Sequence, residues 1–316
     1  MKSPRDVLGD TLVEIGKKND KIVVLSADLA TSTKTIKFMN EFPDRYFNLG
    51  ICEQNMMSLA GGLASEGYIP VASTFAVFAT GRAYDQIRQC IAYSNNNVKI
   101  IATHPGLAVG GDGATHQALE DISLMRTIPN MSVLAPSDAV ETRSFIKKAL
   151  EYEGPVYLRV GRAEMANLYS SDHRAEIGKG DILKEGKDIT VVAHGIMTYY
   201  ALLAAEELLK ENISLEVINM ASIKPLDKKL ILSSVKKTGA IVTVEDHSIY
   251  GGLGSAVAET VIQNNPVPME IIGVEDKFGE SGNYGELYKK YGLDVKSIKN
   301  KIKKFHDRMN LCAKDN

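Results

Sequence analysis

Short apolar runs alternate with amphipathic stretches along almost the whole chain. Apolar positions at helical spacing over Arg5–Lys18 lead into the run Ile22–Ala27, which ends in Asp28-Leu29-Ala30-Thr31-Ser32. A second strand-like run, Tyr46-Phe47-Asn48-Leu49, meets Gly50, and a segment of helical period rich in Ala, Gly, Met and Leu extends from Glu53 to about Glu66. Strands are then predicted at Val71–Phe75, Val98–Thr103, Ser132–Ala135 and Val156–Arg159, with helices at Arg82–Ala92 and Ala139–Glu151. Apolar runs separated by helical patterns are the mark of a mostly parallel sheet covered by helices on both faces.

From Asp172 to Asp188 the chain becomes polar and rich in Gly and Lys, and there the alternation pauses. It resumes with strands predicted at Ile189–Ala193, Leu215–Asn219, Ala240–Val244 and Ile271–Val274, and helices near Tyr199–Lys210, Lys228–Lys236, Ser255–Gln263 and Tyr284–Tyr291. The pattern therefore predicts an α/β protein of two doubly wound, mostly parallel domains, 1–172 and 173–316. No solenoid period or low-complexity tract is visible.

Composition narrows the function classes. With 316 residues, 44% apolar and 24% charged, the chain can bury two separate cores. A net charge of −2 supplies no electrostatic case for nucleic acid or a membrane surface. The lysines at 296, 299, 301, 303 and 304 alternate with Ile298, Ile302 and Phe305, as on the wet face of an amphipathic helix. Three cysteines, Cys52, Cys90 and Cys312, are too few and too far apart for a disulfide framework or a zinc site. The first residues lack the apolar core of a signal peptide, and the expectation is a cytoplasmic protein.

Three groups of residues carry candidate chemistry. Glu53 falls in the first turn of a helix that follows a strand; an acid there complements the helix dipole and can also serve a site at the strand end. The loop His104-Pro105-Gly106-Leu107-Ala108-Val109-Gly110-Gly111-Asp112-Gly113-Ala114-Thr115-His116 brings two histidines and an aspartate together among four glycines, a composition suited to a flexible site loop. His104 and His116 lack the one-turn spacing of a zinc pair, and Gly111-Asp112-Gly113 does not open a helix as a phosphate loop does. Phe75 and Phe78 follow a buried-looking strand and suit either a core or an aromatic platform. In the second domain Gly251-Gly252-Leu253-Gly254, after Val244-Glu245-Asp246-His247-Ser248, could cradle an anion at a helix start.

Taken together, Ser26-Ala27-Asp28-Leu29, Gly50-Ile51-Cys52-Glu53-Gln54-Asn55-Met56, Ser73-Thr74-Phe75, His104 with Asp112-Gly113-Ala114-Thr115-His116, and Gly195-Ile196-Met197-Thr198 resemble the transketolase family, in the same order. The resemblance covers nearly the whole chain and corresponds to the family's pyrimidine-binding and C-terminal domains. Thr115-His116-Gln117, Glu120-Asp121-Ile122 and Leu124–Pro129 look most like the separately encoded C-terminal subunit of split transketolases.

That resemblance implies thiamin diphosphate as cofactor and transfer of a two-carbon ketol unit between sugar phosphates. Glu53 would engage the pyrimidine N1′, made effective by burial beside Ile51, Met56 and Leu59; Phe75 and Phe78 would flank the ring, and Asp28 would lie close to the cofactor. His104, Asp112 and His116 match substrate-contacting positions, with His104 and His116 near the chemistry, while Arg5, Ser32 and Arg162 match phosphate-binding ones. Arg159 competes with Arg162 for the latter role, and Gly81 stands where the family often has a further aromatic. The resemblance gives the second domain a mainly structural and dimer-forming part.

The family's diphosphate- and metal-binding domain has no counterpart in this sequence. Mg2+ (or Ca2+) and the diphosphate would thus be held by an N-terminal transketolase subunit, this chain forming a homodimer inside a heterotetramer that acts on phosphorylated ketose and aldose substrates. The matching half of a 1-deoxy-xylulose-5-phosphate synthase shares the histidine loop, a 2-oxoacid dehydrogenase beta subunit shares the acid but not that loop, and a catalytically silent regulatory subunit would keep the fold alone.

Overall fold

The computed structural model describes residues 3–312. The strands are β1 Ile22–Ser26, β2 Tyr46–Asn48, β3 Ile69–Ser73, β4 Lys99–Thr103, β5 Ser132–Leu134, β6 Val156–Val160, β7 Asp181–Lys184, β8 Ile189–Ala193, β9 Leu215–Asn219, β10 Ser222–Lys224, β11 Ile241–Ser248 and β12 Met269–Val274. They form a seven-stranded sheet of order β10-β5-β6-β4-β3-β1-β2 and a five-stranded sheet of order β12-β11-β8-β9-β7. The pairings from β2 across to β5 are parallel, as are those from β12 to β9. Every residue of β1, β4, β6, β8 and β9 is buried, because helices cover both faces, and apolar side chains predominate in them without alternating with exposed polar ones.

The first sheet separates two cores. Met56, Met57, Ile87 and Ile122 pack on one face, and Leu8, Leu12, Phe38 and Phe145 on the other. Local chemistry sets the helix limits. The Asp138 carboxylate accepts the Glu141 N–H at the start of Ala139–Glu151, Asp227 does the same for Leu230 in Lys228–Thr238, and Gly239 at φ +70° ends the latter.

Three expectations change. Strand β3 stops at Ser73, and Phe75 lies beyond it, bridged to Thr103. The plain helix expected over Arg82–Ala92 is wound more widely, with π-helical segments at Phe78–Arg82 and Ile87–Tyr93 around Tyr84–Gln86. The two halves are also interlocked. The polar connector contributes β7, antiparallel to β9, and β10 returns from the second half to pair antiparallel with β5 of the first sheet. These two edge strands are too short for periodicity to reveal.

A buried polar seam joins the halves. Arg159, 5% exposed, donates from Nε to Asp121 Oδ2 at 2.8 Å and from Nη2 to the Asp246 carbonyl at 2.9 Å, and Tyr157 donates its hydroxyl proton to the same Asp121 oxygen at 2.6 Å. Among the described residues no helix is long and apolar enough to cross a membrane.

Removing one partner of a buried pair strands the other charge. Asp121→Ala is therefore expected to lower unfolding free energy by about 3–5 kcal/mol. Breaking the exposed Lys17–Glu41 pair by Glu41→Ala should cost no more than about 1 kcal/mol. Urea denaturation of both variants checks the contrast; comparable small losses would remove the seam from its structural role.

Candidate active site

Strands β1, β3 and β4 are neighbours, and their C-terminal ends open on one edge of the sheet, where parallel α/β sheets place ligands. The helix Glu53–Ser65 starts there. Its N-cap Cys52 offers no side-chain cap, and Glu53 occupies the first turn. Glu53 is 1% exposed: Oε2 accepts a hydrogen bond from Arg82 Nη1 at 2.9 Å, while Oε1 is buried without a partner. The apolar surroundings expected of it are only partly present. Met56 is fully buried, but Ile51 points outward at 72% exposure, because it lies on the turn ahead of the helix.

Arg82 was not among the residues singled out from the sequence. It spans the opening, with its guanidinium carbon 4.5 Å from the centre of the Phe78 ring while it pairs with Glu53. The signal that would have found it is the spacing Phe75, Phe78, Arg82, three then four residues, which sets all three on one helical face.

Beyond Phe78 the site continues as a cluster of rings. Phe75 and Phe78 stack with centroids 6.0 Å apart, His104 lies 3.9 Å from Phe75, and His116 meets the edge of Phe78 at 5.2 Å. His104 follows directly on β4 with φ +59°. Arg5 Nη1 donates to His104 Nε2 at 3.0 Å, which assigns the imidazole proton to Nδ1, bonded to Thr103 Oγ1 at 2.8 Å. Burial, reinforced by the charges of Arg5 and Arg162, pushes His104 down to about 3, so it is neutral at physiological pH. His116 shares its Nδ1 with Thr115 Oγ1 at 2.9 Å.

The cationic end lies past His104. Arg5 reaches the Ser32 backbone carbonyl at 3.3 Å, not its hydroxyl, and its Nε is buried without a partner. Burial first, then the Arg162 charge, pulls Arg5 below the ordinary arginine value. Arg162 donates to the Val109 carbonyl and to Asp112 Oδ2, the latter at 3.2 Å. The two arginines that compete in the sequence are placed differently: Arg159 is committed to the seam, and Arg162 faces the loop.

Glu53, Phe75, Phe78, His104, His116, Arg5, Ser32, Arg162 and Asp112 thus form a connected set. Asp28 sits at the end of β1, exposed, at φ +60°; its N–H is received by Asn48 Oδ1 at 2.9 Å and its carboxylate caps no helix. The glycine segment of the second domain is already met by a side chain of this chain: the Glu245 carboxyl group accepts the N–H groups of Leu253 and Gly254, each at 2.8 Å. Among the described residues, the one trio of His, Cys, Asp or Glu close enough to share a metal is Glu141, His173 and Asp181, none of which belongs to this set.

Comparison with known proteins places this geometry. Residues 2–167 match the transketolase pyrimidine-binding domain and residues 178–298 the transketolase C-terminal domain. A solved structure titled split gene transketolase, inactive beta4 tetramer, is similar with a TM-score of 0.91 and 51% identity, covering 97% of this chain and 99% of that one. The 6-deoxy-6-sulfo-D-fructose transketolase subunit SqwH of Clostridium sp. is 42% identical over 93% of this chain and 91% of its own length. Human transketolase is 38% identical over 93% of this chain, which spans only 47% of the human protein. With both domain families matched in order over the α/β fold just described, the chain belongs to the transketolase family and carries its pyrimidine-binding and C-terminal domains.

Proposed function

We propose that this chain is the pyrimidine-binding subunit of a two-chain transketolase, which transfers a two-carbon ketol unit between sugar phosphates once paired with a diphosphate-binding subunit. The observation that carries the reading is the convergence of one buried carboxylate, two phenylalanines, two histidines and two arginines at the ends of β3 and β4. Relatives described as a transketolase subunit and a split gene transketolase, matched over 91% and 99% of their own length, support the two-chain arrangement. A structural relative made of such subunits alone is titled inactive.

The residues suit thiamin diphosphate. Glu53 Oε1 is a buried acceptor lacking a donor, beside an aromatic face on which the planar, cationic guanidinium of Arg82 already lies. An aminopyrimidine offers the same combination of flat ring and N–H donors. When bound, thiamin diphosphate supplies a nucleophilic carbon and an electron sink for the carbanion left when a ketose is cleaved. Glu53 would hold the proton at N1′, with Arg82 fixing its other oxygen, and Phe75 and Phe78 would orient the ring. The diphosphate and its Mg2+ or Ca2+ are assigned to the partner subunit.

Toward substrate, the neutral His104 and the half-exposed His116 offer donors and acceptors to the hydroxyls and carbonyl of a sugar, and Asp112 accepts from a further hydroxyl. Arg5 and Arg162 lie close enough to depress one another's neighbour His104, an arrangement that an anionic phosphate relieves. Two homodimer-related copies with two partner subunits, in a cytoplasmic heterotetramer, complete the proposal.

The direct test is reconstitution. This chain mixed with its diphosphate-binding partner, thiamin diphosphate and Mg2+ should convert xylulose phosphate and ribose phosphate, and neither chain alone should turn over. Conversion of pyruvate with glyceraldehyde phosphate instead would favour the deoxyxylulose-phosphate reaction, and full turnover by the isolated chain would overturn the two-chain reading.

Arg5→Ala carries a second expectation with two readouts. Loss of a charge-assisted bond is worth about 1.5–3 kcal/mol, so KM for a phosphorylated donor should rise about tenfold or more, with little change for an unphosphorylated one. In NMR titrations the wild-type His104 imidazole should stay neutral between pH 8 and about 5, and the variant should protonate at higher pH, because a like charge is gone. The sign for stability follows. The unfolded imidazole takes up a proton below about pH 6.5 and the folded one only near about 3, so this residue makes stability fall as pH drops through that window. The variant should show a shallower fall.

A further inference from the structure

The histidine loop leaves the first domain and enters the second. His104 to Gly110 are buried, and Leu107, Ala108 and Leu119 belong to the apolar core of the second sheet together with Val191, Val242 and Leu287. The neck is closed by the Gly106 N–H on the Ala118 carbonyl at 2.9 Å. Within the loop, backbone groups are received or supplied by the second domain: Leu107 N–H donates to Asp246 Oδ1 at 3.0 Å, Ser281 Oγ donates to the Gly111 carbonyl at 2.6 Å, and Ser248 N–H donates to the Leu119 carbonyl at 2.7 Å.

Asp246 is the centre of that attachment. It is 3% exposed, its Oδ2 accepts the Tyr288 hydroxyl at 2.8 Å, and its own carbonyl accepts from Arg159. The backbone of the loop comes so close that a Cβ at Gly106, which has φ +69°, would lie 2.2 Å from Asp246 Oδ2. Only Pro105 and Gly106 stand between His104 and the anchored Leu107 amide. A short segment fixed at both ends leaves the imidazole little freedom, whereas a free loop with four glycines would have a great deal.

We infer that Asp246 is a positioning residue for the site: by holding the Leu107 amide, the second domain sets the path of the histidine loop and so the placement of His104 and His116. The activity arm of its test rests on the proposed function; the loop arm does not. The second domain then has a part in catalysis through geometry, at a distance from the reacting groups.

Hydrogen exchange of the purified chain, resolved to the Leu107 amide and to residues 104–116, is compared for wild type, Asp246→Ala, Asp246→Asn and Tyr288→Phe. Asp246→Ala should speed exchange at Leu107 at least tenfold while β4 and β8 keep wild-type protection. Asp246→Asn, which retains an oxygen acceptor of the same reach, should restore most of it, and Tyr288→Phe, which frees the carboxylate to turn, should give an intermediate increase. In the reconstituted assembly Asp246→Ala should lower kcat at least tenfold with thiamin diphosphate affinity within twofold of wild type, and the asparagine variant should recover activity. Wild-type exchange at Leu107 in Asp246→Ala, or acceleration spread evenly over both sheets, overturns the inference. If Asp246→Ala does not fold, Tyr288→Phe decides: unchanged exchange at Leu107 counts against the clamp. A wild-type assembly with no ketol transfer would defeat the proposed function and leave the exchange result to judge the clamp.

Discussion

The burial of one guanidinium, that of Arg159, governs how the two sheets meet. A charge removed from water is tolerable only where its donors are met by an opposite charge and by acceptors with fixed geometry. Asp121 supplies the charge from the first domain, and the carbonyls of Ala118 and Asp246 supply acceptors from the two sides of the seam. Satisfying Arg159 therefore requires the second domain to be seated. The same seating brings the Asp246 side chain under the histidine loop and Ser248 against its far end. A polar contact between domains and the shape of the candidate site are one arrangement.

The site divides its labour by environment. At one end a carboxylate is buried with a single oxygen committed to Arg82, next to a ring face. At the other, two arginines and a neutral histidine form a positive pocket whose charges have few compensating acids. Between them stand the two phenylalanines and His116, in contact through their rings. The ketol transfer proposed above would use that arrangement by setting a flat basic ring at one end and an anionic sugar at the other.

Much of this was legible in the sequence because period and punctuation agree. The run ending at Asn48, the glycine at 50 and the helical repeat after it were sufficient to set Glu53 in a first turn at a strand end, and the apolar run before His104 placed the histidines likewise. Other features depend on contacts between residues distant in the chain. The connector and β10 bind as edge strands through backbone hydrogen bonds, which leave no apolar period. Arg159 and Arg162 stand three residues apart with the same chemistry, and only the fold separates a seam residue from a loop-facing one. The glycines of the histidine loop suggest flexibility in the sequence, yet at Gly106 the missing side chain serves close approach to Asp246. Arg82 stands where the sequence predicts the start of a plain helix, and the wide helical winding that carries it has no signature in hydropathy.

In the proposed function Glu53 acts on the cofactor and does more than complement a helix dipole. The most direct measurement is hydrogen–deuterium exchange at the reactive carbon of thiamin diphosphate in the reconstituted assembly, at saturating cofactor, comparing wild type with Glu53→Gln. The glutamine keeps the size and can still bond to a ring nitrogen, but it has no carboxyl proton to share. Exchange slowed by orders of magnitude in a folded variant is the predicted result. Exchange at the wild-type rate, accompanied only by the stability change of about 0.3–1 kcal/mol that a lost helix-dipole contact brings, would contradict the account.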